Sequence, residues 1–279
     1  MFNSIWIAMI AAPALLAQDP AISAERIRAH DKFLASDLLE GRGVGQRGGD
    51  IATEYIATQF ALAGAKPAGD NGTYFQKVPL VGIETQPGAA LSATAAGKTV
   101  DFQWLTDFVG VSQTQEADTE LDAPAVFVGH GIAAPEYNWD DFRGLDVAGK
   151  VLVLFTNEPP STDPKFFDGP ALTYYGRWSY KYEEAERRGA RGVIIIHTDT
   201  TAGYGWDVVR GSWAREMPFV KLAPGARGLG FAGWITREAG DKLLALAGKT
   251  VDQLAADKPG ISETDYGDPP GHLDLSHHA

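Results

Sequence analysis

The stretch GKVLVLFTNEP, residues 149–159, contains a continuous apolar run that ends at a polar turn. A short apolar run of this kind is typical of a strand that is buried on both faces of a sheet. GVIIIHT, residues 192–198, shows the same pattern. Between the two, GRWSYKYEEAERRG, residues 176–189, predicts an amphipathic helix that ends at Gly189. Strand, helix and strand with short links predict a local α/β unit.

Short strands are predicted on both sides of this unit. Upstream, from about Pro87, glycines separate β segments at residues 91–95, 99–104 and 125–128. Downstream, MPFVKL is strand-like and residues 233–235 form a short strand. Thr236 then caps a helix that runs through Leu246 and ends at Gly248. The composition therefore becomes β-rich from about Pro87 onward.

A glycine-rich loop near the N-terminus lies between two helical patterns. In EGRGVGQRGGD, residues 40–50, three glycines fall at the G-x-G-x-x-G spacing of dinucleotide-binding loops. That motif needs a strand before the loop. The preceding stretch ISAERIRAHDKFLASDLLE instead predicts a helix with Ser23 as its N-cap, and residues 50–63 predict a second helix with Gly64 as its C-cap. We therefore interpret the loop as a reversal between two helices.

The second helix is followed by a turn and a strand. Asn71-Gly72 marks the turn, and residues 74–81 are strand-like. Asn71-Gly72-Thr73 also fits the N-glycosylation sequon, but we interpret it as a turn. A domain boundary is predicted at residues 85–88, where the β-rich composition begins.

Composition excludes several partners and several kinds of chemistry. A net charge of −12 and a pI near 4.9 argue against nucleic acid or anionic lipid as a partner, because either needs a basic surface. The chain has no cysteine, which excludes disulfides, thiolate metal sites and cysteine nucleophiles. With 44% apolar and 22% charged residues, it can bury a core.

The N-terminal stretch MFNSIWIAMIAAPALLAQDP predicts a signal peptide, residues 1–17. Its apolar run is too short to cross a bilayer as a helix, so we expect no membrane span. Small residues near Ala17 fit a cleavage site, which predicts export to the periplasm or the extracellular space. No Lys or Arg precedes Arg26, so a buried N-terminal helix stays open as the alternative.

Several of these segments together resemble one protein family, the secreted bacterial zinc-dependent aminopeptidases that carry a protease-associated domain. These enzymes are relatives of the transferrin receptor and glutamate carboxypeptidase. The likeness to their opening rests on Ser-Asp-x-x-Glu-Gly-Arg at residues 36–42, Gly48-Gly49, Tyr55-Ile56, and the stretch from Pro67 to Gln76. FVGHGIAAPEYNWDDFRGLDVAGKVLVLF and YKYEEAERRGARGVIIIHT resemble the family's protease-associated domain. The resemblance covers residues 24–248.

The resemblance implies an α/β (α+β) fold. A helical hairpin and a strand of a zinc-exopeptidase domain, residues 18–86, would precede a β-rich protease-associated domain, residues 87–250. Residues 251–279 would form a tail that leads toward the catalytic half. In the family that half supplies a His-x-Asp segment, a Glu-Glu pair, a further acid and a distant His as zinc ligands. We expect this half to lie beyond the chain.

The expected function follows from the same resemblance. The chain would be the N-terminal and protease-associated region of an exported zinc-dependent aminopeptidase, which hydrolyses N-terminal peptide bonds. Its partners would be a peptide substrate and the missing C-terminal catalytic region. Zinc is expected in the full-length protein and not in this chain, which we expect to be inactive by itself. The alternative is a stand-alone protease-associated module that binds peptides without catalysis.

Two motifs within the chain imitate zinc-ligand patterns. His272 begins a His-x-Asp segment in PPGHLDLSHHA, but a polar terminal tail supplies no surrounding shell to hold a metal. Glu183-Glu184 lies mid-helix between Lys181 and Arg187, where the spacing favours ion pairs on a solvated face. We therefore expect no zinc at either motif.

Other groups of catalytic type also have structural interpretations. His30 falls on the inner face of the first helix, His130 lies in a glycine turn, and His197 ends a buried strand. We expect each to be a hydrogen-bonded structural residue. A G-x-S-x-G nucleophile elbow is absent from the sequence, which argues against a serine hydrolase.

The segment AGYGWDVVRGSW, residues 202–213, carries the candidate substrate-binding residues. They are Tyr204, Trp206, Arg210 and Trp213. Exposed rings and an arginine on a mobile, glycine-rich loop suit peptide binding, since flat rings give contact area at low entropy cost and a guanidinium can pair with a carboxylate. The alternative is that the tryptophans fill the core of the domain.

Overall fold

The computed structural model describes residues 22–256 and the backbone of residues 272–278. The predicted signal peptide lies outside the described residues. The chain divides into two compact units between Lys77 and Val78. Within the described residues, no helix is both long enough and apolar enough to cross a membrane.

Two α-helices open the described chain, eight strands follow them, and helices and strands are interspersed only from residue 178 onward. The α-helices are α1 (Ala24–Leu34), α2 (Arg47–Leu62), α3 (Trp178–Arg187), α4 (Asp199–Ala202), α5 (Trp206–Trp213), α6 (Arg237–Ala245) and α7 (Val251–Ala256). The strands are β1 (Leu80–Ile83), β2 (Leu91–Ala95), β3 (Lys98–Phe102), β4 (Phe108–Val111), β5 (Asp118–Phe127), β6 (Ala133–Ala134), β7 (Trp139–Asp140), β8 (Val151–Phe155), β9 (Gly192–Ile196), β10 (Met217–Val220), β11 (Phe231–Ile235) and β12 (His272–His278).

A mixed sheet organises the second unit, with the strand order β3-β2-β12-β5-β8-β9-β11-β4. β5, β8, β9 and β11 run parallel, with Ile194 paired to Val153 on one side and to Gly233 on the other. The remaining pairs in this sheet are antiparallel. β1 pairs with β10 and β6 with β7 in separate antiparallel sheets. The predicted α/β (α+β) class is confirmed.

Strands β8 and β9 lie at the centre of the core, and every one of their residues is buried. Val153 belongs to one apolar cluster, which includes Leu243 of α6. Its neighbour Leu154 belongs to the other cluster, with Tyr182 of α3 and Trp213 of α5. Successive side chains of a strand point to opposite faces, so helices cover both faces of this part of the sheet. The apolar runs of β8 and β9 are continuous because both faces of these strands are buried. The predicted strand–helix–strand unit is confirmed.

The predicted helix after residues 233–235 is also confirmed. Thr236 Oγ1 accepts a hydrogen bond from the backbone N of Ala239 at 3.1 Å, which caps the first turn of α6. Gly248 follows the helix with φ of +70°. The predicted N-cap at Thr236 and the predicted glycine at the C-terminal end are therefore both present.

The predicted strand at residues 74–81 is wrong over most of its length, because β1 begins only at Leu80. Asp70 Oδ2 accepts from the backbone N of Lys77 at 2.8 Å, and the backbone N of Asp70 donates to Phe75 O at 2.7 Å. The chain therefore curls around Asp70 before it becomes extended. Asn71 has φ of +53°, in agreement with the predicted turn.

The chain after residue 250 contributes a helix and a strand to the second unit. Val251 and Leu254 of α7 are buried, because they pack in the same apolar cluster as Leu243. Further along, β12 pairs antiparallel with both β2 and β5. The His-x-Asp segment at His272 thus lies in a strand rather than in a frayed end, while its side chains are outside the described part of the structure.

In the N-terminal unit, the glycine loop reverses the chain between α1 and α2. Ser23 caps α1 as predicted, since its Oγ accepts from the backbone N of Arg26 at 3.4 Å. His30 Nδ1 lies 2.9 Å from the hydroxyl of Tyr55 on α2, and Phe33 packs on the same ring at a centroid distance of 4.3 Å. The predicted helix reversal and the partnered role of His30 are both confirmed.

Gly48 in the first turn of α2 lies against the chain that precedes it. A Cβ at this position would overlap the carbonyl oxygens of Leu39 and Gly41. Gly48 is the third glycine of the spacing that imitates a nucleotide-binding loop. It is required for packing, because only glycine allows this close approach.

We expect Gly48→Ala to lower the free energy of unfolding of the N-terminal unit by about 1–3 kcal/mol, the usual cost of overpacking. The matched control is Gly211→Ala in α5, where nothing lies within 4 Å of an added Cβ. That control should be stabilising by about 0.5–1 kcal/mol, because alanine favours a helix. Urea unfolding followed by circular dichroism measures both, and equal effects would contradict the close approach at Gly48.

Candidate functional site

Polar residues follow each parallel strand at the same edge of the sheet. His130 comes after β5, Glu158 after β8, His197 after β9 and Thr236 after β11. The carboxyl ends of parallel strands meet at one edge, where open α/β sheets bind their ligands. This edge is therefore the candidate functional site.

Lys181 of α3 is buried beside this edge, with 1% of its surface exposed. Its Nζ donates to Asn157 O at 2.7 Å and to Tyr175 O at 2.9 Å. Burial lowers the pKa of Lys181 to about 7, and the carboxylates of Asp141 and Glu158 act in the opposite direction. The interpretation of Lys181 as part of a solvated helical face is wrong, because its ammonium bonds to backbone carbonyls that precede the helix.

Asp141 holds the turn that follows β5. Its Oδ2 accepts hydrogen bonds from the backbone N of His130 at 3.1 Å and of Ile132 at 3.0 Å. Gly129 and Gly131 have positive φ of 56° and 64°, which gives the turn the curvature that brings both amides to one carboxylate. Burial raises the pKa of Asp141 to about 6, and hydrogen bonding to the carboxylate acts in the opposite direction.

The imidazole of His130 is neutral at pH 7. Burial, followed by the charge of Lys181, lowers the pKa of His130 to about 3. Its Nδ1 lies 3.3 Å from Asn157 O, and because a carbonyl oxygen only accepts, Nδ1 carries the proton. The predicted hydrogen-bonded structural role of His130 is confirmed.

Glu158 fixes the segment that leads into α3. Its Oε1 accepts from the backbone N of Thr173 at 2.9 Å, and its Oε2 accepts from Thr173 Oγ1 at 2.6 Å. Lys181 holds the carbonyl of Tyr175 in the same segment. Two buried charges of opposite sign therefore attach residues 172–178 to the end of β8.

We call His130, Asp141, Glu158 and Lys181 the buried polar cluster. Its groups bond to the protein itself, so the cluster positions loops and does not present a base or a nucleophile to solvent. Sequence reasoning missed the roles of Asp141, Glu158 and Lys181. The sequence contains one signal of the inward position of Lys181, because this residue lies between two aromatic residues, Tyr180 and Tyr182. Both tyrosines are buried in the structure.

The predicted binding segment at residues 202–213 is mainly helical, since α4 ends at Ala202 and α5 spans Trp206–Trp213. The prediction of a mobile loop is therefore wrong. The physical reason is the buried side of α5, where Val209 and Trp213 pack in the core. Trp213 is 5% exposed, so its ring fills the core and is not available to a peptide.

Tyr204 and Trp206 meet at the ring of His197, with centroid distances of 5.4 and 6.0 Å. His197 is 2% exposed, and its Nε2 lies 3.0 Å from Tyr204 O, which confirms its structural role. Trp206 Nε1 donates to Leu105 O at 3.1 Å, which leaves the indole half-buried. Tyr204 stays 39% exposed.

Arg210 lies on the exposed side of α5. Its guanidinium pairs with Asp207 one turn earlier, at 2.8 Å, and about half of the Arg210 side chain is exposed. The structure thus brings Tyr204 and Trp206 together, leaves Arg210 accessible, and removes Trp213 from the set. Whether the three accessible residues bind peptide stays a prediction.

The imitation zinc motifs contain no assembled metal site among the described side chains. Glu184 accepts from Arg187 at 2.9 Å and from Arg188 at 2.6 Å, as the ion-pair interpretation predicts, although it is partly buried. Glu183 accepts from the hydroxyl of Tyr174 at 3.0 Å. Within residues 22–256, no group of three or more His, Asp or Glu side chains is close enough to hold a metal ion. The donor set there does not fit zinc.

Neither models of known protein families nor curated protein sequences match the chain. Among solved structures, the chain is similar to an aminopeptidase from Aneurinibacillus sp. strain AM-1, with a TM-score of 0.36 and 17% identity over 92% of this chain and 44% of that one. It is also similar to BSAP, a zinc aminopeptidase from Bacillus subtilis, with a TM-score of 0.32 and 15% identity over 91% of this chain and 43% of that one. The chain therefore spans less than half the length of either protein. TM-scores this low decide neither fold nor function.

We expect Lys181→Met to lower the free energy of unfolding at neutral pH by about 3–5 kcal/mol, because it leaves buried carboxylates without their cation. The advantage of the wild type over the variant should change with pH. The folded-state pKa of Lys181 is about 7 against an ordinary 10.5, so the unfolded chain binds more protons between these values and wild-type stability rises with pH. Removal of Lys181 should also raise the pKa of Asp141 further. The variant would then lose stability as pH rises, which also increases the wild-type advantage with pH.

Urea unfolding at several pH values between about 7 and 10 measures this difference. Lys98→Met on the exposed side of β3 is the matched control, and its effect should be small and independent of pH. A wild-type advantage over Lys181→Met that stays constant across this range would contradict a lowered pKa of Lys181 in the folded protein.

Proposed function

We propose that residues 22–256 are the N-terminal helical part and the protease-associated domain of an exported zinc-dependent aminopeptidase. The zinc ligands would come from a catalytic half outside the described residues. The sequence resemblance at residues 36–76 and in the strand–helix–strand unit supports this proposal.

One observation carries the proposal: the N-terminal unit leaves large apolar side chains in contact with solvent. On α2, Ile56 is 39% exposed and Phe60 is 51% exposed. These residues are one helical turn apart and share a face. Ile27 and Phe33 of α1 are 49% and 38% exposed. Exposed apolar groups of this density mark a surface that another element covers.

The energy of this exposed surface favours a partner domain over an isolated module. Full burial of one such side chain contributes about 1.5–3 kcal/mol. A sheet packed on the helical pair would recover this contribution at several positions together. In the proposed enzyme that sheet belongs to the catalytic half. A stand-alone peptide-binding module gives no reason to retain the exposed residues.

The nucleotide sequence that follows codon 279 tests the proposal. We expect an open reading frame that encodes His-x-Asp and Glu-Glu segments. The complete product should hydrolyse aminoacyl p-nitroanilides, lose that activity with a chelator and regain it with zinc. Residues 1–279 alone should show no turnover. A stop codon at this point, together with peptide binding by the chain, would favour the stand-alone module instead.

The apolar surface gives a prediction that depends on context. Ile56→Asn combined with Phe60→Ser should change the stability of the 279-residue chain by less than about 1 kcal/mol and reduce its binding of the dye ANS. In the complete product, the same pair should cost about 3–5 kcal/mol, since the positions are then buried. Val220→Thr, at a position 62% exposed on β10, is the control with the same small effect in both contexts. Equal effects of the double substitution in both proteins would count against a covering domain.

We also propose that Tyr204, Trp206 and Arg210 contact the peptide substrate of the complete enzyme. Their accessibility at the carboxyl edge of the sheet supports this role. Tyr204→Ala should raise KM about threefold to tenfold with little change in kcat, because it removes binding that substrate and transition state share. Steady-state kinetics on a tripeptide substrate measures both constants. A fall in kcat without a change in KM would contradict the proposed role.

A further inference from the structure

We propose that residues 160–171 form a hinged loop over a pocket that binds an aromatic side chain of another peptide. We call these residues the strap, and we call Tyr137, Trp139, Tyr175 and Tyr180 the aromatic pocket. In the structure, Phe167 of the strap fills the aromatic pocket. The inference goes beyond the proposed function, because it requires neither zinc nor a catalytic half.

Phe167 is enclosed by rings that contact it directly. Its exposed fraction is 0%. Its ring lies 4.3 Å from that of Tyr137, 5.8 Å from Tyr175 and 6.0 Å from Trp139, measured between centroids. Tyr180 packs on Tyr175 at 5.0 Å and belongs to the same apolar cluster as Phe167. The aromatic pocket is therefore one contiguous group of side chains around a single phenyl ring.

The walls of the aromatic pocket are held by contacts outside the strap. The hydroxyl of Tyr180 accepts from the backbone N of Ala133 at 3.2 Å, and the hydroxyl of Tyr175 donates to Glu136 at 2.7 Å. Trp139 belongs to β7, which pairs with β6. These contacts join the segment before β7 to the segment that leads into α3. The pocket therefore keeps its walls when the strap moves.

The strap makes its hydrogen bonds within itself. The backbone N of Phe166 donates to Asp163 O at 3.0 Å, and the backbone N of Gly169 donates to Phe166 O at 3.1 Å. Among residues 22–256, no hydrogen bond or salt bridge joins the strap to another segment. Apolar contacts of Phe166 and Phe167 hold it in place. The strap can therefore leave the pocket without breaking a polar contact.

The two ends of the strap are tied to each other. Glu158, which precedes it, accepts from the backbone N of Thr173 at 2.9 Å and from the hydroxyl of Thr173 at 2.6 Å. A surface loop whose ends are joined in this way has the form of an Ω-loop, a class of loop that is frequently functional. The strap can therefore open as one unit while Glu158 and Thr173 stay paired.

The backbone at the filled position is strained. Phe167 has φ of +49° and Asp168 has φ of +54°. Side chains other than glycine rarely adopt positive φ, and two in succession, one of them a bulky ring, are costly. Opening of the strap relieves this strain, which offsets part of the ring contact that Phe167 loses. The open strap is thus a minor state that a ligand of the pocket can make dominant.

The ring that fills the aromatic pocket identifies the chemistry of the occupant. Phe167 is a phenyl side chain carried on a peptide backbone, so a phenylalanine of another peptide fits the same space. Its contacts with Tyr175 and Trp139 are edge to face, at interplanar angles of 89° and 86°. This geometry stabilises pairs of aromatic rings beyond the area that they bury. The pocket therefore favours an aromatic ring over a saturated ring of similar size.

Isothermal titration calorimetry on the 279-residue chain and its Phe167→Ala variant tests the inference. The probe is acetyl-Ala-Phe-Ala-amide. In the wild type only the open fraction of the protein can bind it, because Phe167 competes for the pocket. We expect Phe167→Ala to raise the affinity for the probe at least about tenfold. The comparison peptide acetyl-Ala-cyclohexylalanine-Ala-amide should bind this variant at least about threefold more weakly than the probe.

Two further variants locate the binding. Phe108→Ala is the matched control, because Phe108 is 2% exposed and packs beside Trp104 and Phe231 in the core of the sheet. It removes the same ring from a regular strand, so it should not admit a tripeptide. Tyr137→Ala combined with Phe167→Ala removes the nearest wall of the pocket. We expect its affinity to return to within about threefold of the wild type.

Limited digestion of the wild type is the second measurement, and it decides the question if Phe167→Ala does not fold. Trypsin cleaves after lysine, and Lys165 lies in the strap. Cleavage of a folded protein follows the population of its open form. The probe should therefore accelerate cleavage after Lys165 at least about threefold, as followed by mass spectrometry. Cleavage after Lys98 on β3 is the internal control and should keep its rate.

Several results would overturn the inference. They are an unchanged affinity of Phe167→Ala for the probe, an equal gain of affinity in Phe108→Ala, equal affinity for the saturated peptide, and cleavage after Lys165 that the probe does not accelerate. None of these outcomes bears on the gene continuation or on zinc, so failure here is distinguishable from failure of the proposed function.

Discussion

Strands β8 and β9 have no face in contact with water, and the second unit is arranged around this constraint. Their side chains alternate between two apolar clusters, so helices must cover the sheet on both faces. α6 and α7 contribute to one cluster, and α3 and α5 contribute to the other. This requirement explains why Trp213 and Val209 point into the core, although their segment has the composition of a surface loop.

Burial of the strands also leaves backbone polar groups at the end of β8 that need hydrogen-bond partners within the protein. The backbone that leaves a buried strand must find hydrogen-bond partners before it reaches solvent. Lys181 supplies a donor to Asn157 O, and Glu158 accepts from Thr173 on the segment before α3. A buried ammonium is costly, as the lowered pKa of Lys181 shows, and the nearby carboxylates offset part of that cost. The same contacts attach residues 172–178 to the end of β8.

The sequence predicts those features that short-range physics determines. Apolar runs identify β8 and β9, Ser23 and Thr236 mark helix starts, and the glycine loop is recognised as a reversal because a helix precedes it. Features that depend on distant partners are missed. The inward position of Lys181 requires carbonyls of Asn157 and Tyr175, which no helical periodicity reveals. The late start of β1 depends similarly on the hydrogen bonds that curl the chain around Asp70.

The central strands of the second unit are covered on both faces, whereas the helical pair of the N-terminal unit leaves Ile56 and Phe60 exposed. Amide hydrogen exchange on the 279-residue chain, measured residue by residue, tests this asymmetry most directly. The account predicts that amides of β8 and β9 exchange only through global unfolding, while those of α2 exchange at least about a hundredfold faster through local opening. Protection of α2 equal to that of β8 and β9 would contradict it, because the helical pair would then be stable without a covering domain.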